Sequence, residues 1–211
     1  MNVRPIFNKG LFFSLSYSLI LFVVDKMKEI KLKEPRYENI KLINYIFWVV
    51  LAFSTLFLSP YFELFFTIII STAILINFTY EILFYKPDSA HIIHHVLTMI
   101  AILYSIYYDI FKFPIIYKAA NIFYMAMFSS IFSAGRKLLK DTKYASLSYN
   151  TYKVSYVVSK LLGIIFHYKL FFGGFFINTE IKVLLFLKFL IHLTQIYFSQ
   201  KIIVSYLKNK K

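Results

Sequence analysis

The stretch Phe62-Glu63-Leu-Phe-Phe-Thr67-Ile-Ile-Ile-Ser71-Thr-Ala-Ile-Leu-Ile-Asn77-Phe-Thr-Tyr80-Glu81-Ile-Leu-Phe-Tyr85 decides the fold. It is an almost unbroken apolar run of the ~20 residues that a helix needs to cross a ~30 Å hydrocarbon core. Runs of the same kind recur on both sides of it. Seven spans are predicted, at about 7–25, 42–60, 62–85, 91–108, 113–135, 153–173 and 182–206. The chain as a whole agrees. Its 211 residues are 59% hydrophobic and 21% aromatic, whereas an ordinary soluble domain is about half apolar. The expected architecture is an all-α, polytopic transmembrane helical bundle. Residues 1–39 supply a first span and a basic loop, 40–207 the main membrane domain, and 208–211 a basic tail.

The formal charge is +14, but the basic residues collect in short segments between apolar runs. That is a topology signal rather than a nucleic-acid stripe, so no nucleic-acid partner is expected. Placing 25–41 in the cytosol puts the loop near Lys86, the Arg136–Lys153 loop and the C-terminus there too, with most of the 24 basic residues. The positive-inside rule is then met with seven spans, and the N-terminus is lumenal or extracellular. No cysteine is present, which excludes disulfides, thiolate metal sites and cysteine nucleophiles.

Beyond the deciding stretch lies His91-Ile-Ile-His94-His95-Val-Leu-Thr98. Positions 91, 94, 95 and 98 are spaced so that all four side chains share one helix face. Fully charged groups inside a bilayer cost roughly 2.5–3.5 kcal/mol each on insertion scales, so ionisable residues there mark function. A neutral imidazole can take a proton from an amine or carbon acid, or accept an acyl group itself. The competing structural role is a hydrogen bond between helices, worth about 0.6 kcal/mol on average. Glu81 is the one carboxylate set well inside a span on the cytosolic half, placed to orient or protonate an imidazole. With Ser129, Ser130, Gln195 and Ser199 it converges on the histidines at one depth. A cavity open to the cytosol there would admit a water-soluble head such as acyl-CoA while its chain stays in the membrane.

These residues resemble a known family. Tyr80-Glu81 through Lys86-Pro87-Asp88 to His94-His95-Val-Leu-Thr98 is similar to the TLC domain shared by TRAM, Lag and CLN proteins. Ser129-Ser130-Ile-Phe132-Ser-Ala-Gly-Arg136 and Leu193-Thr194-Gln195-Ile196-Tyr197-Phe198 are similar, more loosely, to its later helices. The resemblance covers roughly 40–207, and the His pair is its one sharp motif. It implies a protein of lipid metabolism or homeostasis in the endoplasmic reticulum. Such a protein holds an acyl lipid, acyl-CoA or a sphingoid-type lipid, with acyl transfer centred on His94 and His95 and supported by His91 and Glu81. Asn121 to Ser130 carries no acid, and Met127 stands where other members place one. This points to the less characterised, lipid-handling branch rather than to ceramide synthases.

The His91-x-x-His94-His95 spacing is also similar to the fatty-acid elongases. Asn121-x-x-Tyr124-x-x-Met127 echoes half of their second motif, while their upstream acidic motif is missing. A non-enzymatic lipid sensor or carrier is the third reading. Thr98, Asn121, Ser129, Ser130, Arg136, Lys160, His192 and Gln195 are the expected substrate-binding residues, with Arg136 suited to phosphates or lipid head groups. Lys160 falls seven residues before His167 on one helix face, where it either lines a cavity or snorkels. A single metal on His91 and His95, with Glu81 or Asp88 as third ligand, is a lesser reading. Five histidines are too few for the di-iron centre of membrane desaturases. No cofactor is expected. Lys208-Asn209-Lys210-Lys211 resembles a dilysine retrieval signal without its spacing.

Overall fold

A computed structural model of the chain describes residues 14–20, 37–85, 87–125, 127–139, 141–172 and 179–208, with positions 8, 11, 12, 22, 23 and 26. The described residues contain only helix and the turns between helices. A helical segment at 14–20 (α1) precedes α2 (Tyr37–Ser54), α3 (Pro60–Tyr85), α4 (Ser89–Tyr107), α5 (Pro114–Met125), α6 (Phe128–Leu138), α7 (Ala145–Phe172) and α8 (Thr179–Lys208). Among the described residues, three segments are long and apolar enough to cross a membrane: Pro60–Tyr85, Ser89–Tyr107 and Thr179–Val204. At 1.5 Å per residue the 26 residues of α3 extend about 39 Å.

Local chemistry sets these boundaries. Pro60 and Pro114 open α3 and α5, where the missing N–H costs nothing and φ is already helical. Glu63 in the first turn of α3 complements the helix dipole. Pro87 disfavours helical backbone at the residue before it, and α3 stops at Tyr85. Asp88 then caps α4, its side chain accepting from the His91 backbone N–H at 2.9 Å. After α4 the chain reverses through Asp109, which takes the left-handed conformation at φ 54°, tolerated by Asp more than by most residues.

α3 lies at the centre. Apolar and polar residues alike are buried along it, Leu64, Ile68, Ile70 and Ile74 beside Thr67, Ser71, Asn77 and Glu81. Trp48, Ala52, Ile68, Ile70, Ile74 and Phe78 form the main core between α2 and α3, joined by Tyr117 and Phe123 of α5. A second core joins α4 to α8 through Ala101, Leu184 and Ile191. Lipid is as apolar as leucine, so interhelical hydrogen bonds and close packing supply much of the cohesion. Asn44 donates to Asn77 across α2 and α3 at 3.0 Å. Thr72 donates to Ser14 at 2.6 Å, and Ser71 meets the Tyr124 hydroxyl at 2.5 Å.

Three expectations change. The span expected at 113–135 is two short helices, α5 and α6. They part at Met127, whose N–H bonds Tyr124 O at 3.0 Å while its carbonyl accepts from Ser130 N–H at 2.7 Å. These i→i+3 bonds tighten the turn and end α5. The loop expected at Arg136–Lys153 is much shorter, because α6 continues to Leu138 and α7 begins at Ala145. Arg136 therefore stands on α6, and Lys153 is a buried residue of α7. α2 and α7 do not meet the membrane-length criterion. The apolar part of α2, Lys41–Phe57, is short, and the 28 residues of α7 include Lys153 and Lys160. The expected span at 7–25, the loop at 25–41, Lys86, the His167 side chain and the tail at 209–211 fall wholly or partly outside the described residues.

Candidate functional site

A cavity of about 620 Å³ opens among α2, α3, α4, α7, α8 and the α5–α6 pair. Glu81, His91, His94, His95 and Thr98 all line it, from facing sides of α3 and α4. Ser130, Arg136, Lys160 and Gln195 reach it from α6, α7 and α8. Of the groups expected to converge, Glu81, the histidines, Ser130 and Gln195 line the cavity, and Ser199 does not. Asn121, Ser129 and His192 do not line the cavity. Asn121 sits near the other end of α3, accepting from Thr67 at 2.9 Å and donating to Glu63 at 3.5 Å. Ser129 is fully buried. His192 packs behind the wall, its Nδ1 3.1 Å from Gln195 Oε1.

Glu81 is the hinge of the site. Its Oε1 accepts from Lys41 of α2, and its Oε2 stands 3.4 Å from His95 Nε2. All three groups are shielded, with side-chain exposures of 15% for Lys41, 8% for Glu81 and 7% for His95. The Glu81–His95 separation is long for a hydrogen bond, and neither ring nitrogen of His95 makes one among the described residues. The ring is held instead by stacking on Phe78, with centroids 3.9 Å apart. A carboxylate beside an imidazole fixes which nitrogen carries the proton and stabilises the imidazolium. Here Oε2 faces Nε2, so an Nε2–H tautomer leaves Nδ1 as the basic nitrogen.

His94 is fixed differently. Its Nδ1 lies 2.8 Å from Thr194 Oγ1 on α8, while the Thr194 hydroxyl donates its one hydrogen to Ile191 O at 2.7 Å. Thr194 must therefore accept from His94 Nδ1–H, which leaves the lone pair on Nε2. Thr98, expected to bind substrate, lines the cavity on the same face. Its hydroxyl is bonded to the His94 backbone carbonyl at 2.8 Å, so its contribution to the cavity is one of shape. Thr194 itself, Lys41 and Lys201 were not singled out as site residues in the sequence. Thr194 carried a signal as the neighbour of Gln195, whereas Lys41 looked like one more loop cation.

At the mouth, His91 Nδ1 lies 2.8 Å from Asp88 Oδ1, and its ring stacks on Phe198 at 4.5 Å. The His91 backbone N–H, then its ring, hold the Asp88 carboxyl below its ordinary value of 3.8. A depressed carboxyl stabilises above its unfolded pKa and loses that effect as pH falls through the folded one. Asp88→Ala should cost about 1 kcal/mol of stability as a lost N-cap. In detergent thermal unfolding that difference from wild type should be present at pH 7 and vanish below the ordinary Asp range. Arg136 stacks over the rings of Tyr149 and Tyr152, 5.6 and 4.7 Å from their centroids. Among the described residues no three His, Asp or Glu side chains are grouped to hold a metal ion. The His91 and His95 rings lie 6.4 Å apart, with His91 committed to Asp88.

Compared with protein-family models, curated proteins and solved structures, the chain matches none of them.

Proposed function

We propose that this protein is a multi-pass membrane protein of TLC-domain type whose cavity binds an acyl lipid or acyl-CoA and transfers the acyl group. The observation that carries the reading is the shielded Lys41–Glu81–His95 series at the wall of a cavity to which the membrane-length helices α3, α4 and α8 all contribute. A buried carboxylate aimed at an imidazole is an acid–base device, able to move a proton between a bound amine and a thioester.

In this reading His95 Nδ1 takes a proton from the acceptor amine as that nitrogen attacks the thioester carbonyl. The C–N bond forms, the C–S bond breaks, and the imidazolium returns the proton to the departing thiolate. Glu81 balances the imidazolium, while Lys41 holds Glu81 in place. Arg136 and Lys201, both on the cavity wall, suit the phosphates of a coenzyme head. The acyl chain lies against Phe78, Phe123 and Ile74, which also line the cavity. Seven spans, a cytosolic cavity mouth and C-terminus, a lumenal N-terminus and residence in the endoplasmic reticulum belong to the same proposal. They rest on the distribution of basic residues and on the family resemblance.

One observation favours a lipid carrier without turnover. Met127 and Phe123 line the cavity from the α5–α6 side, where ceramide synthases of the resembled family carry acids. The test is to supply membranes containing the protein with labelled acyl-CoA, a sphingoid base and malonyl-CoA, and to read the lipids by mass spectrometry. A labelled amide is the expected product. A lengthened chain would make the protein an elongase, and labelled lipid retained without any product would make it a carrier.

A further inference from the structure

Away from the histidine pair, two buried lysines have no counter-charge among the described residues. Lys160 of α7 is only 8% exposed and lines the cavity. Its Nζ lies 5.9 Å from the centre of the Phe123 ring, and Lys188 Nζ of α8 lies 4.4 Å from the same centre. Among the described residues neither lysine makes an ion pair or a hydrogen bond, and no carboxylate acts on either. Both are within electrostatic reach of His192, and Lys160 also of His94. The nearest acid of the site, Glu81, already serves Lys41 and His95.

Two ammonium groups around one phenylalanine gain some cation–π attraction. That is small against the cost of a buried charge without a partner. Ionisable side chains at such depth usually pair with each other or with a ligand. A second, independent feature points the same way. Gln195 is 2% exposed and lines the cavity. Its Oε1 accepts from His192 Nδ1 at 3.1 Å, which turns its amide nitrogen into an oriented donor, and that Nε2 has no hydrogen-bond partner. Cations and an unused N–H donor, with no acceptor supplied by the described residues, form a site for an oxyanion.

We infer that Lys160 and Gln195, reinforced by Lys188 on the other contact of Phe123, bind the anionic group of an amphipathic ligand, a carboxylate or phosphate at the end of an acyl chain. The apolar part of that ligand lies along the aromatic and aliphatic wall that Phe123 and Ile74 provide. The inference rests on the reading of the cavity as a lipid cavity, and it narrows the ligand to one with a negatively charged head.

Thermal unfolding of the purified full chain in detergent tests it with three probes of equal chain length: palmitate, hexadecyl phosphate and uncharged hexadecanol. Palmitate or hexadecyl phosphate should raise the wild-type Tm by about 5 °C or more, and whichever does so names the anion. Lys160→Met should raise the ligand-free Tm, because an uncompensated buried charge is removed, and weaken the charged lipid about tenfold or more. Lys188→Met carries the same test should Lys160→Met not fold. Equal stabilisation by hexadecanol, or an undiminished response to the charged lipid in both variants, overturns the inference. Acyl-CoA turnover without any charged-lipid response overturns it alone. A charged-lipid response without turnover overturns only the acyl-transfer reading.

Discussion

Glu81→Ala is expected to lower stability by about 3–5 kcal/mol, the cost of leaving one partner of a buried ion pair uncompensated. Glu81 joins three helices. It accepts from Lys41 of α2, belongs to α3 and faces His95 of α4. Alanine leaves the Lys41 ammonium at 15% side-chain exposure with its anion gone and opens a void beside the Phe78–His95 stack. In a chain of this length the loss corresponds to a fall in Tm of roughly 10–15 °C, read by thermal unfolding in detergent. The double variant Lys41→Met with Glu81→Leu should recover most of the stability, since well-packed apolar replacements of a buried pair are often neutral or better. It should recover none of the turnover. An unchanged Tm for Glu81→Ala would mean that water reaches Lys41 and that the site is not shielded.

His95→Ala should behave in the opposite way, with a large effect on turnover and a small one on folding. A positioned general base contributes about 10²–10⁴-fold, so acyl transfer should fall by that factor per folded molecule. The ring makes no hydrogen bond among the described residues, and Glu81, which faces it at 3.4 Å, keeps its ion pair with Lys41 when the ring is removed. Chiefly, the stack on Phe78 is lost, at about 0.5–1.5 kcal/mol. Initial rates normalised to folded protein, measured beside the unfolding curve, separate the two roles. If His95→Ala lost its fold while turnover per folded molecule held, the histidine would be a packing residue. Thr194→Val offers a graded comparison, because it frees the His94 ring without removing it.

The sequence is most legible where a single segment carries its own signal. The apolar run at 62–85 and the histidine stripe at 91–98 became α3 and α4, because length and helical spacing are local properties. The expected gathering of Glu81, the histidines, Ser130 and Gln195 is likewise present, since matching depths on neighbouring helices bring such groups together. Features set by tertiary contact were hidden. No glycine or proline marks the break at Met127, which depends on backbone bonds to Tyr124 and Ser130. Ala145 to Lys153 is rich in Ser, Tyr, Asn and Thr and reads as a polar loop. It is helical, packed against α6, with Tyr149 and Tyr152 under the Arg136 guanidinium. Lys41 pairs with a residue 40 positions away, a distance no spacing rule covers. Asn121 had the look of a cavity residue and instead belongs to the α3–α5 hydrogen bonds.

The most direct measurement is photo-crosslinking with a palmitoyl-CoA that carries a diazirine along its chain, followed by mapping of the labelled peptides. The cavity account predicts label on Phe78, Thr98, Phe123 and Phe198, which line it, and suppression by excess unlabelled palmitoyl-CoA. Label confined to the outward residues Leu103, Val158 and Phe186, exposed at 55%, 49% and 59%, and indifferent to competitor would contradict it. The lipid would then be solvent for the protein rather than its ligand.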